Sequence, residues 1–283
     1  MKVWTRRSFI KTTLASGAAL ALPQLALAEG GTLADIRKRG TLMVGTEAAY
    51  EPFEFVENGQ IVGYGHDLLE LMAARLGVKL EQMNLPFQGL LPGLMTHKFD
   101  FVATSVGITP ERAKRFAFTE PVGVVRSVLM VRADDSSIKG DFDVAGKVIG
   151  TQMGSSSQPV ADEFEKKLKA KTGKGYAGTK LFQAYPDASN ALANKTIDVA
   201  LMPSNIAAVE MRRQANVFRI VGMIGEPKLL AWVVNPHDLE IRKFINDSLD
   251  AFRANGQLAA LQTKWFGAPM DTPTTGYLPG GAI

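Results

Sequence analysis

Residues 41–105 read TLMVGTEAAYEPFEFVENGQIVGYGHDLLELMAARLGVKLEQMNLPFQGLLPGLMTHKFDFVATS, and the alternation inside this stretch decides the fold class. Leu42-Met43-Val44 is a short apolar run that reads as a buried strand. Asn58-Gly59 sits between apolar runs and signals a hairpin. From Asp67 to Leu76, the residues Leu68, Leu69, Leu71, Met72 and Leu76 share one helical face, and Gly77 suits the stop. Val78-Lys79-Leu80 opens another strand, Leu90 to His97 reads as a helix, and Asp100-Phe101-Val102-Ala103 as a strand. Strands alternating with helices in this way predict an α/β fold, a mostly parallel sheet with helices on both faces.

Toward the C-terminus a second set of the same kind begins near Arg126. Ser127 to Val131 and Lys147 to Gly150 read as strands, and Gln158 to Lys171 as a charged amphipathic helix. Leu181-Phe182, a helix from Asp187 to Lys195, a strand from Ile197 to Leu201 and a helix from Ser204 to Gln214 follow. Leu229 starts another strand, and Leu239 to Trp265 is one long helical region. Residues 268–283 are rich in Pro, Gly and Thr and read as an extended tail on the surface.

Toward the N-terminus, Thr5-Arg6-Arg7-Ser8-Phe9-Ile10-Lys11, the apolar stretch Thr12 to Leu27 and the small-residue site Ala26-Leu27-Ala28 follow one another in the order of a twin-arginine export signal cleaved after Ala28. A membrane anchor fits less well, because the stretch holds Gly17 and Pro23 and is shorter than the ~20 apolar residues of a spanning helix. Residues 1–28 carry Lys2, Arg6, Arg7, Lys11 and no acid. Their removal takes 32 basic residues to 28, matching the 28 acidic ones. The mature chain is therefore neutral, and nothing in its charge points to nucleic acid. The chain has no cysteine, so its fold uses no disulfide even in an oxidising compartment.

Several blocks, taken in order, resemble the extracellular solute-binding proteins of polar amino-acid ABC importers (bacterial solute-binding protein family 3). They are Gly45-Thr46-Glu47-Ala48-Ala49-Tyr50-Glu51-Pro52-Phe53-Glu54-Phe55, Phe87-Gln88-Gly89-Leu90-Leu91-Pro92-Gly93-Leu94, Phe99 to Ser105 leading into Ile108-Thr109-Pro110-Glu111-Arg112-Ala113, Phe118-Thr119-Glu120-Pro121, Gly146 to Gly150, and Lys264-Trp265-Phe266-Gly267. The resemblance implies a periplasmic binding protein of type II: two Rossmann-like lobes joined by two crossing strands, with a ligand cleft between them. Lobe 1 would comprise 29–125 plus 225–267 and lobe 2 126–224, with crossings near Val124–Arg126 and Gly225–Lys228. It further implies a periplasmic, monomeric carrier with a small-molecule ligand, a membrane permease as partner and no cofactor. Three places depart from the family pattern. Gly63-Tyr64-Gly65-His66-Asp67-Leu68 has Gly and His where an acid and an aliphatic residue are usual, Gly107 stands where Ser or Thr is frequent, and Pro203 stands where amino-acid binders usually carry Asp.

Arg112 is the strongest candidate for ligand contact. A guanidinium pairs with a carboxylate through two hydrogen bonds, and Arg112 follows a strand end and the turn Thr109-Pro110, where open α/β sheets place ligands. The plain alternative is a solvated charge beside Lys114 and Arg115. Thr104 and Ser105 can add hydroxyl or backbone contacts. Gly154-Ser155-Ser156-Ser157 precedes a helix, where free N–H groups favour an anion; serines there are also ordinary N-caps. The resemblance sets this turn in the second lobe, facing Arg112, and favours Ser156 as the cross-cleft donor, with Ser155 a further candidate. Tyr50 and Phe87 supply aromatic walls, while Phe53 reads as core. Glu47, at a strand end, can meet a positive group. The resembled Asp holds an α-ammonium, and Pro203 offers neither carboxylate nor N–H. Either Glu47 takes the positive group, or the ligand lacks a free α-ammonium, or Ser204 or Asn205 substitutes.

An enzyme is the rival class. His66, His97 and His237 lack metal-ligand spacing, and neither a nucleophile elbow nor a phosphate loop is present. Gly63-Tyr64-Gly65 lacks the third glycine of a dinucleotide fingerprint. No catalytic or metal residue is expected, although the fold class also includes periplasmic dehydratases of cyclic acids, for which Glu47 in a dry cleft would be the acid or base. A ligand sensor would use the same cleft.

Overall fold

The computed structural model describes residues 32–283; the expected export signal lies outside the described residues. Thr32 opens the first helix, α1 (Leu33–Arg39), through a capping box with Asp35. The chain then forms β1 (Thr41–Thr46), the small antiparallel sheet β2 (Ala49–Tyr50), β3 (Glu54–Glu57) and β4 (Gln60–Val62), α2 (Tyr64–Leu76), β5 (Lys79–Asn84), α3 (Phe87–Met95), β6 (Phe101–Gly107), α4 (Pro110–Ala113) and the long β7 (Ala117–Arg132). The second set is β8 (Val148–Gln152), α5 (Ser157–Thr172), β9 (Gly178–Phe182), α6 (Tyr185–Ala193), β10 (Val199–Pro203) and α7 (Ser204–Arg213). The chain returns along β11 (Phe218–Val234) and ends in α8 (Leu239–Ala254), α9 (Gln257–Phe266) and the segment 267–283.

Eight strands line up in the order β5-β1-β6-β11-β7-β10-β8-β9. β1 is parallel to β5 and β6, and β8 is parallel to β9 and β10. These two parallel halves are the cores of two lobes, and β7 and β11 run antiparallel through both. The β7–β11 ladder is irregular at several points, and its widest gap lies in the middle. Ile224 pairs with Ser127 and Lys228 with Val125, so Gly225-Glu226-Pro227 faces Arg126 alone. Proline has no N–H to give a ladder, and Gly225 adopts φ +69, which favours glycine. The chain therefore bends where it passes from one half to the other.

Each half has its own apolar packing. Val102, Val106, Phe118, Ala231 and Val233 meet α3 through Leu90 and Leu94 in the first, and Leu129, Val131, Ile149, Val199 and Leu201 meet α5 through Ala161, Phe164 and Leu168 in the second. Among the described residues no helix is long and apolar enough to cross a membrane.

The expected α/β alternation is present, with several corrections. The sheet is mixed, because β7 and β11 insert antiparallel strands at its centre. β11 begins at Phe218 and not Leu229, and the strand read at Ser127–Val131 is the end of one that starts at Ala117. The region Leu239–Trp265 is two helices, broken where Asn255 caps one and Gly256 (φ +83) starts the next. Helices α2, α3 and α6 start two or three residues earlier than their apolar patterns suggest. The tail is not merely superficial: Leu278 and Ala282 pack on the first-lobe cluster that holds Phe87 and Phe116. The departure at Gly65 has a steric reason, since a Cβ there would come 2.3 Å from the buried carboxyl of Glu54.

Candidate functional site

A cavity of about 10 Å³ lies where the C-terminal ends of β1, β6 and β8 meet, lined by Glu47, Tyr50, Phe87, Ser105, Gly107, Arg112, Gln152, Ser155, Ser156, Tyr185 and Leu230. That is room for about one water, so the side chains of the two lobes all but fill the closed cleft. Both lobes contribute, and they touch across the cavity.

Glu47 follows the last residue of β1 and is 5% exposed. The loop is fixed by Ala48 N–H donating to Asn84 Oδ1 (3.0 Å). From the other lobe, Gln152 Nε2 donates to Glu47 Oε1 (2.5 Å) and to the Gln183 carbonyl (3.1 Å). Burial pushes the Glu47 carboxyl up to about 8 against the opposing pull of the Gln152 hydrogen bond, and Asp187 adds to the rise. In this closed arrangement Glu47 is a neutral acid at pH 7.

Arg112 faces the same cavity. Thr109 caps α4 by accepting from the Arg112 backbone N–H (3.3 Å). The guanidinium donates through Nη1 to the Gly107 carbonyl (2.9 Å) and through Nη2 to the Gly154 carbonyl of the second lobe (2.6 Å). Its centre lies 5.4 Å from the Phe87 ring centroid, a cation–π arrangement. None of these partners is a carboxylate, and burial lowers the Arg112 pKa. A guanidinium has five N–H donors, so Arg112 keeps donors for an anion.

The aromatic walls are Tyr50, Phe87 and Tyr185. Tyr50 and Tyr185 stand 6.1 Å apart, and the Tyr185 hydroxyl is hydrogen-bonded to Ser157 Oγ (2.8 Å). Phe53 is 1% exposed and packs on Tyr50, Tyr64 and Phe266, as its core reading expects. Ser105 Oγ donates to Glu54 (3.4 Å), whose carboxyl is fully buried beneath the cavity with its pKa raised by desolvation.

Seven of the eight residues singled out from sequence line the cavity; Thr104 does not. Successive strand residues point to opposite faces, so with Ser105 toward the cavity Thr104 is buried on the other side of β6. Ser155 lines the cavity, but its hydroxyl is engaged, donating to the Gln152 carbonyl (2.8 Å) and accepting from Ser157 N–H (3.2 Å). Ser156 makes no such cap bond. It lies against Gly107, where an added Cβ would come within 2.5 Å of Ser156 Oγ. Gly107 thus leaves the room that Ser156 occupies. Sequence reasoning missed Gln152, Tyr185 and Leu230. Gln152 ends a parallel strand, the signal that drew attention to Glu47; Leu230, inside β11, carried none.

Pro203 ends β10, pairs with Ser127 and does not reach the cavity. Ser204 Oγ accepts from Arg126 N–H (3.4 Å) and Asn205 Nδ2 donates to the Glu51 carbonyl (3.1 Å), while Asn205 Oδ1 is buried without a partner; neither residue lines the cavity. Among the described residues no cluster of three or more His, Cys, Asp or Glu could hold a metal.

Residues 42–268 match the sequence pattern of the bacterial extracellular solute-binding proteins, family 3. Among known proteins, the probable amino-acid-binding protein YxeM of Bacillus subtilis (strain 168) is 27% identical over 274 residues, 94% of this chain and 96% of the relative. An ancestral arginine-binding protein solved with arginine bound superposes with TM-score 0.72 at 32% identity, covering 81% of this chain and 99% of that one. The ancestral amino acid-binding protein AncCDT-1, a precursor of cyclohexadienyl dehydratase, also superposes with TM-score 0.72, at 30% identity over 83% and 98% of the two chains.

Proposed function

Because the chain belongs to the bacterial extracellular solute-binding proteins of family 3, we propose that it captures a small carboxylate-bearing solute, an amino acid or a derivative of one, in the Arg112 cavity and delivers it to the membrane permease of an ABC importer. One observation carries this reading: Arg112 is a half-buried cation with no carboxylate partner, at the edge of a cavity shared by two lobes. A ligand carboxylate would supply the missing charge. The lobes would be 29–125 with 225–267, and 126–224, turning about the break at Gly225–Lys228. The protein would work as a periplasmic monomer after twin-arginine export and removal of residues 1–28.

Glu47, Tyr50, Phe87, Ser105, Ser156, Gln152 and Tyr185 would complete the site. Since Pro203, Ser204 and Asn205 stand away from it, the positive or hydrogen-bond-donating end of the ligand would meet Glu47 and Gln152. Ordinary L-α-amino acids would then bind worse than the true ligand. A thermal-shift screen tests this, because a ligand raises stability by mass action. It should set the standard amino acids beside betaines, N-acylated and N-carboxyalkyl amino acids and keto acids. Submicromolar binding of a standard amino acid would remove the specificity claim and leave the carrier. No stabilisation by any member would count against the carboxylate site itself.

The likeness to AncCDT-1 favours one second reading. A neutral Glu47 in a dry cavity would be an acid for elimination on a cyclic acid. Turnover of cyclic acids from the same screen, followed by proton NMR, separates this from binding alone.

A further inference from the structure

The contacts that cross the cleft fall into two groups. One lies at the cavity: Arg112 reaches the Gly154 carbonyl, Gln152 reaches Glu47, and Gln88 Nε2 donates to the carbonyls of Met153 (3.1 Å) and Gln183 (3.3 Å). The other lies at a separate groove lined by Ala48, Glu51, Ile206, Val209, Glu210 and Arg213. There the Glu51 carboxylate, from the first lobe, pairs with Arg213 at the end of α7. The Glu51 carbonyl accepts from Asn205 at the start of the same helix (3.1 Å). Arg213 is held from behind by Glu210, 3.5 Å away. A bound solute would engage the first group directly, because it occupies the same space. It cannot touch the second.

We infer that Glu51 and Arg213 form a latch that sets the fraction of ligand-free protein in the closed state, and so tunes affinity from outside the binding site. This rests on the two-lobe binding reading above. Apparent affinity scales with the fraction of molecules in the binding-competent state, so a latch that favours closure tightens binding to any solute the cavity takes. Arg213 is 52% exposed at its side chain, and exposed ion pairs shift an equilibrium by roughly 1.4- to 5-fold. The same exposure makes the latch sensitive to salt.

The chain has no cysteine, which allows clean labelling. β5 and β9 are the outermost strands of the sheet, and Glu81 and Thr179 are exposed on them. With Glu81→Cys and Thr179→Cys carrying spin labels, the distance distribution of the ligand-free protein reports the open and closed fractions. Glu51→Arg and Arg213→Glu should each lower the closed-to-open ratio by about two- to fivefold, and the double reversal should restore it. In the parent, 1 M NaCl should act like the single changes. Singles with the parent's ratio, or a double reversal that stays open while circular dichroism shows it folded, would overturn the latch. Failure of the underlying reading looks different: a parent distance that no screened solute changes.

Discussion

At the scale of single residues, charge burial governs what the cavity can hold. Truncating one side of a buried charge pair costs roughly 2–5 kcal/mol, so Arg112→Ala should weaken binding about 30-fold to several-thousand-fold. Arg112→Lys should also weaken it, because the planar fork is lost. Calorimetry that finds less than a threefold loss in the alanine variant removes Arg112 from the site. Glu47 makes closure depend on pH. Its carboxyl is raised to about 8 in the closed form, while hydration in an open cleft returns it toward 4.5. The closed form therefore keeps a proton that the open form has lost, and closure weakens as pH rises from about 5 to about 8. Gln152, Asp187, Tyr50, Tyr185 and Glu54 surround or couple to this group, and Arg112 is the cation that lines the same cavity. Glu47→Gln should flatten the dependence; a closed fraction equally steep with pH in that variant would assign the effect to another group. Gly107→Ala places a Cβ 2.5 Å from Ser156 Oγ. We expect at least a tenfold loss of binding, and a loss in Gly107→Ala/Ser156→Gly no larger than in Ser156→Gly alone; losses that simply add would exclude this clash as the cause. That Arg112 and Glu47 line one cavity could be expected from their places after strand ends and from the resemblance, although a solvated charge was the plain alternative for each. Thr104 was misread because two adjacent hydroxyls look alike until the register of β6 decides which faces in.

Among the elements, the least legible is β11. Its first part, Phe218 to Lys228, holds Gly222, Gly225 and Pro227, residues that punctuate loops in a sequence reading. They are tolerated because the ladder to β7 is irregular at both Ile220/Gly222 and Ile224/Lys228. The α8–α9 break was hidden because apolar spacing resumes at once with Leu258. The C-terminal segment read as polar surface, yet it is tied down. Met270 N–H donates to Gln262 Oε1 (3.0 Å), Ile283 N–H donates to the Ala113 carbonyl (3.0 Å), and Arg242 holds the Ile283 carbonyl (2.7 Å). Deleting residues 269–283 uncovers apolar surface beside Phe87 and Phe116, a loss of about 1–3 kcal/mol for partly buried side chains. For a chain of this length that is a fall in Tm of about 2–10 °C. Calorimetry showing a change under 1 °C would return the segment to the status of a passive tail.

For the whole molecule, the alternation around residues 41–105 made the α/β class plain, and the resemblance supplied the two lobes that periodicity alone cannot show. Their closure is measurable. A solute that takes an even mixture of open and closed molecules to 99% closed must prefer the closed form roughly 100-fold. Small-angle scattering should then show a smaller radius of gyration at saturation, and an unchanged radius would mean that the lobes do not move. The path of β11 carries a consequence in time. Seen during synthesis, the first lobe is begun early and finished last: it lacks a strand between β6 and β7 until residues 228–234 have emerged. The second lobe has nearly all its parts by residue 224. Once residue 224 has cleared the ribosome, and before residues 228–234 have, the chain would display a protease-resistant later half attached to an unfinished earlier one. The export route proposed above, if it admits only folded passengers, would in effect be reading whether the final quarter of the message had been translated, although its proposed address was made first.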